Sequence, residues 1–193
     1  MKGSYEIDGL KEKKMIKIRV SGSYLEVIVG DITKQSTHAI VNAANSRLIP
    51  GGGVDGAIHK AAGPGLYLEC KKLGGCITGE AKLTKGYNLP SKFVIQTVGP
   101  RYSGSNQDKE KLASCYINSL KIARDNDIKS ISFPAISTGV YGYPMEAAAI
   151  IALSTVINEL EKNPGIDLVR FVLYDSEGLD IYDKVLKSIN KEL

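Results

Sequence analysis

The fold is decided by Val41–Gly63, VNAANSRLIPGGGVDGAIHKAAG. The apolar run HAIVNA (residues 38–43) ends in small polar residues, and Gly51, Gly52 and Gly53 follow. Asp55 then opens a segment of helical character that stops at Gly63. A buried strand, a glycine loop and a helix start let a backbone approach an anion closely. No side chain intervenes, and the first N–H groups of the helix point outward along its dipole. Asp55 fits that picture badly, because a carboxylate repels phosphate. Its plain reading is an acidic helix N-terminus, a favourable place for aspartate.

Outward from this stretch, strand and helix patterns alternate. MIKIRV and YLEVIV read as two strands joined by SGS. GLYLECKKLGG reads as a helix ending at glycine, and EAKLTKGYNLPSKFVIQTV as two strands around a Gly-Tyr-Asn turn. QDKEKLASCYINSLKIARDND is amphipathic, with Leu112, Cys115, Tyr116, Ser119, Leu120 and Ala123 on one face. SISFPAI is a strand, and PMEAAAIIALSTVINELEKN a helix with Pro144 in its first turn. LVRFVLY and DIYDKVLKSIN are a last strand and a last helix. The alternation predicts an α/β sandwich with a largely parallel sheet, made mixed by the opening hairpin. Residues 15–193 read as a single domain after a polar extension of residues 1–14. Ligands of such sheets bind beyond the carboxyl ends of the strands. The loops after HAIVNA, SISFPAI and LVRFVLY are therefore expected on one rim.

A second glycine loop lies in that set. Ser137, Thr138, Gly139 and Gly142 again separate a buried strand from a helix start. Two anion loops at one end of a sheet point to a ligand with adjacent phosphates, whereas the plainer reading is two helix-entry turns. Gly51, Gly53 and Gly56 also satisfy G-x-G-x-x-G, but seven residues, Ala44–Pro50, separate the strand from Gly51. No ribose-binding acid follows at the usual distance, which argues against a Rossmann dehydrogenase.

Bulk properties exclude other classes. The 193 residues are 43% hydrophobic and 24% charged, with a mild net charge of +4. The lysine cluster at Lys11–Lys14 reads as a solvated turn, so no stable nucleic-acid partner is expected. No apolar run is long enough for a membrane span, and the N-terminal stretch lacks a signal core. Cys70, Cys76 and Cys115 form no CxxC pair and, with His38 and His59, make poor material for a zinc site. The reading is a cytoplasmic protein without a metal, and nothing in the sequence demands more than a monomer.

Several motifs in order resemble the macrodomain family. They are GDIT (Gly30–Thr33), NAANSRLIPGGGVDGAIHKAAG and STGVYGYP, with TVGP (Thr97–Pro100) and YDSE (Tyr174–Glu177) beside them. GGGVDGAIH resembles the MacroD-type branch in particular. The likeness runs from about Tyr24 to about Ile189. It implies a three-layer α/β/α domain that binds ADP-ribose and hydrolyses ADP-ribosyl esters. The implied substrates are mono-ADP-ribosyl groups on acidic side chains of proteins, and O-acetyl-ADP-ribose. It implies no metal and no organic cofactor.

By motif match, Asp31 accepts from the adenine amino group, with the Ile32 backbone beside it; the plainer role for Asp31 is a turn cap. Asn45 is matched to the hydroxyls of the distal ribose, and Asn42 to a structural clamp inside the loop. Gly51, Gly52 and Gly53 let backbone approach phosphate and ribose, and Val54 packs on ligand or core. Ser137, Thr138, Gly139, Val140 and Tyr141 wrap the diphosphate, with Tyr141 on the distal ribose. Tyr174 stacks on adenine or packs in the core. Asp55 falls at the sugar end, where a carboxylate can direct water onto the ester. Asp55 and Asn45 are thus the catalytic candidates. His59, four residues on, is expected to be a packed histidine rather than a catalytic partner.

Two departures stand out. Pro50 replaces a glycine usual in the branch and brings no N–H. Gln96 stands where histidine is expected, in a strand away from the chemistry. The leading function is an ADP-ribosyl-ester hydrolase. A non-catalytic ADP-ribose-binding module and a phosphatase acting on ADP-ribose phosphate are the alternatives.

Overall fold

The computed structural model describes residues 15–189, so the polar extension read at residues 1–14 lies outside the described residues. Strands β1 (Met15–Val20) and β2 (Ser23–Val29) pair antiparallel, Ile16 opposite Val27 and Ile18 opposite Leu25. Ser21 and Gly22 turn the chain between them, with Ser21 at φ +55°. The period-two pattern of both strands puts Ile16, Val20, Leu25 and Val27 on one buried face.

β3 (Ala39–Ala43) follows a short 3-10 turn at Ile32–Lys34. Helices α1 (Gly53–Ala62) and α2 (Pro64–Lys72) come next, then strands β4 (Ala81–Lys85) and β5 (Phe93–Thr97). Helix α3 (Asn106–Asp125), strand β6 (Ser130–Phe133), helix α4 (Met145–Lys162), strand β7 (Leu168–Leu173) and helix α5 (Ser176–Ile189) complete the order. The seven strands form one sheet, ordered β1-β2-β7-β6-β3-β5-β4. β2, β7, β6, β3 and β5 run parallel; β1 and β4 close the two edges antiparallel.

Each face carries its own core. On one side, Val41, Ile95, Phe133 and Phe171 pack with Leu112, Tyr116, Leu153 and Tyr182 of α3, α4 and α5. On the other, Ile40, Val94 and Val98 pack with Ile58, Leu66 and Cys70 of α1 and α2. The result is the three-layer α/β/α sandwich with a mixed, largely parallel sheet expected from the sequence.

Several boundaries differ from that expectation, among them β6, which stops at Phe133 rather than running through SISFPAI, and α1, which starts at Gly53 rather than Asp55. Pro144 stands just before α4 rather than in its first turn. α5 starts at Ser176, before DIYDKVLKSIN, where the Asp175 carboxylate accepts from the Gly178 N–H at 2.9 Å. Polar SEG breaks the apolar period that marks the rest of the helix, so the first turn has no pattern to betray it.

Candidate active site

The five parallel strands end on one edge, so the loops that follow β2, β3, β5, β6 and β7 share one rim, as expected for an α/β sheet. Within the glycine loop, Gly53 adopts φ +58° and starts α1. A Cβ on Gly56 would stand 2.6 Å from the Gly51 carbonyl oxygen. The first turn of α1 therefore lies directly against the loop, which is what Gly56 is for. Among the described residues, the N–H groups of Gly52, Gly53, Val54 and Asp55 meet no protein acceptor. They are the outward-facing donors of a helix start.

The second loop is folded by its own bonds. Tyr143 N–H donates to the Ser137 carbonyl at 3.0 Å, Gly142 N–H to Gly139 at 2.9 Å, and the Thr138 hydroxyl to Ala135 at 2.9 Å. Ser137 is held at φ +67°, a conformation rarely adopted by a residue with a side chain. Among the described residues, the N–H groups of Gly139, Val140 and Tyr141 have no protein acceptor, and three successive free donors form an anion nest. Val140 stands 95% exposed beside them.

Between these loops lies a cavity of about 610 Å³, lined among others by Asn45, Arg47, Gly51, Gly99, Arg101 and Tyr141. That volume suits a small molecule. The loop after β5 joins the second loop at this wall. Tyr102 N–H donates to the Tyr141 carbonyl at 2.9 Å, and the Arg101 guanidinium lies 4.8 Å from the Tyr141 ring centre. Gly99 permits the approach, since a Cβ there would stand 2.7 Å from Ile136 Cγ2 and would also run into Ser137 Oγ.

Asp55 lies directly behind the Gly51 wall and is only 5% exposed. Its Oδ2 accepts from the Gly51 N–H at 2.5 Å, and its Oδ1 from Asn42 Nδ2 at 2.6 Å. A Cβ on Gly51 would stand 3.0 Å from Asp55 Oδ2 and 3.6 Å from Asn45 Nδ2. The two catalytic candidates therefore converge on the side of Gly51 that carries no side chain. Asn45 shapes the loop as well, donating from Nδ2 to the Ile49 carbonyl at 2.6 Å. His59 Nε2 is 3.6 Å from Asp55 Oδ1, beyond hydrogen-bond range, and His59 is buried. Burial pushes its imidazole below the ordinary value, opposed by the Asp55 carboxylate.

The other expected residues fall as follows. The Asp31 Oδ1 accepts from the Thr33 N–H at 2.8 Å and the Thr33 hydroxyl at 2.7 Å, so the residue caps its turn. Those bonds, led by the hydroxyl, hold the Asp31 carboxyl below its usual range. The Ile32 side chain is buried, and Val54 packs on the same apolar core. Tyr174 is 96% exposed at the end of β7, which excludes core packing. Asn42 is in β3 rather than in the loop, fully buried and outside the cavity wall. Gln96 is not remote: its Oε1 accepts from Asn42 Nδ2 at 2.8 Å, one side chain from Asp55. The register Asn42–Gln96 between β3 and β5 puts them together, and strand order cannot be read from a single strand.

Sequence reading missed Arg47, Thr78, Gly99 and Arg101 on the cavity wall. TVGP was the available signal, and Arg101 comes directly after it. The three cysteines are buried free thiols, and burial raises those of Cys70 and Cys115 to about 11. Among the described residues, no group of three His, Cys, Asp or Glu side chains is arranged to hold a metal, and no helix is long and apolar enough to cross a membrane.

Comparison with known proteins agrees with this architecture. The chain is 55% identical over 163 residues to a Macro domain-containing protein of Chlorobaculum tepidum, covering 84% of this chain and 95% of that one. It is 47% identical over 186 residues to human ADP-ribose glycohydrolase MACROD2, covering 95% of this chain but only 44% of that longer protein. Among solved structures, the Oceanobacillus iheyensis macrodomain with ADP superposes with a TM-score of 0.89 at 45% identity, covering 93% of this chain and 98% of that one. The Trypanosoma brucei macrodomain in complex with ADP-ribose does so with a TM-score of 0.80 at 42% identity, covering 84% of this chain and 68% of that one. The Macro domain family model matches residues 41–152, and with relatives this similar over most of its length the chain belongs to the macrodomain family.

Proposed function

We propose that the protein binds ADP-ribose along the rim and hydrolyses ADP-ribosyl esters. The substrates are mono-ADP-ribose on acidic side chains of proteins, O-acetyl-ADP-ribose, or both. The observation that carries this reading is the buried Asp55 carboxylate, held by two donors, one of them the N–H of Gly51 on the wall of the small-molecule cavity that Asn45 and Tyr141 also line. The donors of Gly52–Val54 and of Gly139–Tyr141 take the diphosphate. Asp31 and the Ile32 backbone take the adenine edge, and the exposed Tyr174 ring its face. Asn45 and Tyr141 hold the distal ribose against Gly51. The likeness to an ADP-ribose glycohydrolase and to a macrodomain in complex with ADP-ribose supports the assignment.

Asp55 then orients a water toward the ester at the sugar end and takes its proton as the oxygen attacks. The ester C–O bond breaks, the ribose oxygen leaves and recovers a proton, and ADP-ribose and the free acid result. Gly51 leaves the gap through which the carboxylate acts. None of these steps draws on a metal or an organic cofactor.

One observation favours a second reading. Both Asp55 oxygens already accept from protein donors, as expected of a loop anchor in a module that binds ADP-ribose without cleaving it. Incubation with glutamate-linked ADP-ribosyl protein, O-acetyl-ADP-ribose and ADP-ribose phosphate separates the possibilities. Release of ADP-ribose from either ester supports the hydrolase. Tight ADP-ribose binding with no release from any substrate establishes the module, and turnover of the phosphate alone establishes a phosphatase.

A further inference from the structure

The face of the sheet under α1 and α2 buries a line of polar side chains among apolar ones. Ile40, Val94, Ile58 and Leu66 are all at most 1% exposed, and among them lie Asn42 and Gln96 at 0% and Thr84 at 2%. Burying amides in such a layer is costly unless every bond is made, and apolar side chains of the same size would serve stability as well or better. These polar groups therefore need a reason beyond holding the sheet together.

Their bonds run in one direction. The single hydroxyl proton of Thr84 goes to the Val94 carbonyl at 3.0 Å. This leaves the Thr84 oxygen as an acceptor, and Gln96 Nε2 donates to it at 3.2 Å. The Gln96 amide is thereby turned with Oε1 toward Asn42. Asn42 Nδ2 then spends one proton on Gln96 Oε1 at 2.8 Å and the other on Asp55 Oδ1 at 2.6 Å. Asp55 Oδ2 closes the line on the Gly51 N–H, at the cavity wall. A flip of either amide would set donor against donor or acceptor against carboxylate. One backbone carbonyl beside the edge strand β4 thus fixes the orientation of every group up to Asp55.

We propose that Gln96 is a positioning residue for Asp55, acting through Asn42 to hold the carboxylate in one rotamer against the glycine loop. The inference rests on the reading of Asp55 as the group that directs water. A carboxylate that swings away from this position misplaces the water while leaving the cavity walls unchanged. The expected signature is a loss in kcat with little change in ligand affinity.

The test compares wild type with Gln96→Met and Gln96→His on a glutamate-linked ADP-ribosyl protein, with ADP-ribose affinity and urea stability measured for each. Methionine keeps the length and apolar fit but offers Asn42 no comparable acceptor. Neutral histidine restores one acceptor and one donor. Gln96→Met is expected to lose roughly 10- to 100-fold in kcat at unchanged ADP-ribose affinity, as a small misplacement of a reacting group does. Gln96→His is expected to recover most of it at pH 8. A folded Gln96→Met with wild-type kcat overturns the proposal and leaves the hydrolase reading standing. Equal impairment of both variants in proportion to lost stability overturns it as well, showing a structural role only. A wild type that binds ADP-ribose but hydrolyses nothing removes the function on which the inference rests.

Discussion

Gly51 matters for the atom it lacks. Its missing side chain would fall 3.0 Å from Asp55 Oδ2 and 3.6 Å from Asn45 Nδ2. Gly51→Ala is therefore expected to cut ester hydrolysis by more than 10-fold while stability falls by about 1–3 kcal/mol, the usual cost of overpacking; initial rates and urea midpoints check both. His59 sets a different, pH-linked behaviour. Burial depresses its imidazole in the folded protein, so as pH falls the unfolded chain takes up the proton first. The stability that His59 contributes is full above about pH 6.5, the ordinary imidazole value, and is lost as pH falls below it toward the depressed folded value. Urea midpoints measured between about pH 8 and 5 should fall more steeply for wild type than for His59→Gln. Equal slopes would show that the histidine is not held neutral.

At the scale of elements, the site is a meeting of loops that no single motif describes. The loop after β5 leans on the loop after β6 through the Tyr102–Tyr141 backbone bond and the Arg101–Tyr141 contact. Gly99 sets how closely they meet. A methyl group there must displace Ile136 or Ser137, so Gly99→Ala is expected to weaken ADP-ribose binding by at least 10-fold, read by calorimetry. Unchanged affinity would show that the second loop is positioned from its own side alone. The sequence displayed the two glycine loops because glycine and polar residues break an apolar period sharply. It hid the contact between loops, since Arg101 and Tyr141 are forty residues apart and meet only once the strand order is known. Helix starts are blurred for a related reason, as at Ser176, where polar residues carry the first turn.

Over the whole molecule, the aromatic core and the candidate site sit on different parts of the sheet. The deepest packing is the aromatic cluster of Tyr116, Phe133, Phe171 and Tyr182, with Phe133 and Phe171 stacked at 5.8 Å between ring centres. Phe171→Ala is expected to cost about 3–5 kcal/mol in urea unfolding, the range for truncating a buried aromatic. The folded remainder should keep its ADP-ribose affinity, because the cluster lies under α3, α4 and α5, away from the glycine loop. Alternation of strands and helices made this architecture legible, since burial of each element leaves a period in the chain. The same logic concealed the pairing of Asn42 with Gln96: a polar residue inside an apolar strand looks like an interruption until its partner across the sheet is known. Asp55 was legible as an oddity, a carboxylate beside a glycine loop, and the structure gives it partners in Asn42 and the Gly51 N–H. The most direct measurement is the rate of ADP-ribose release from a glutamate-linked ADP-ribosyl protein, wild type beside Asp55→Ala, with no metal added. A fall of roughly 10²–10⁴-fold in the variant, with ADP-ribose still bound, is what a water-directing carboxylate predicts. Equal rates in the two proteins would contradict it.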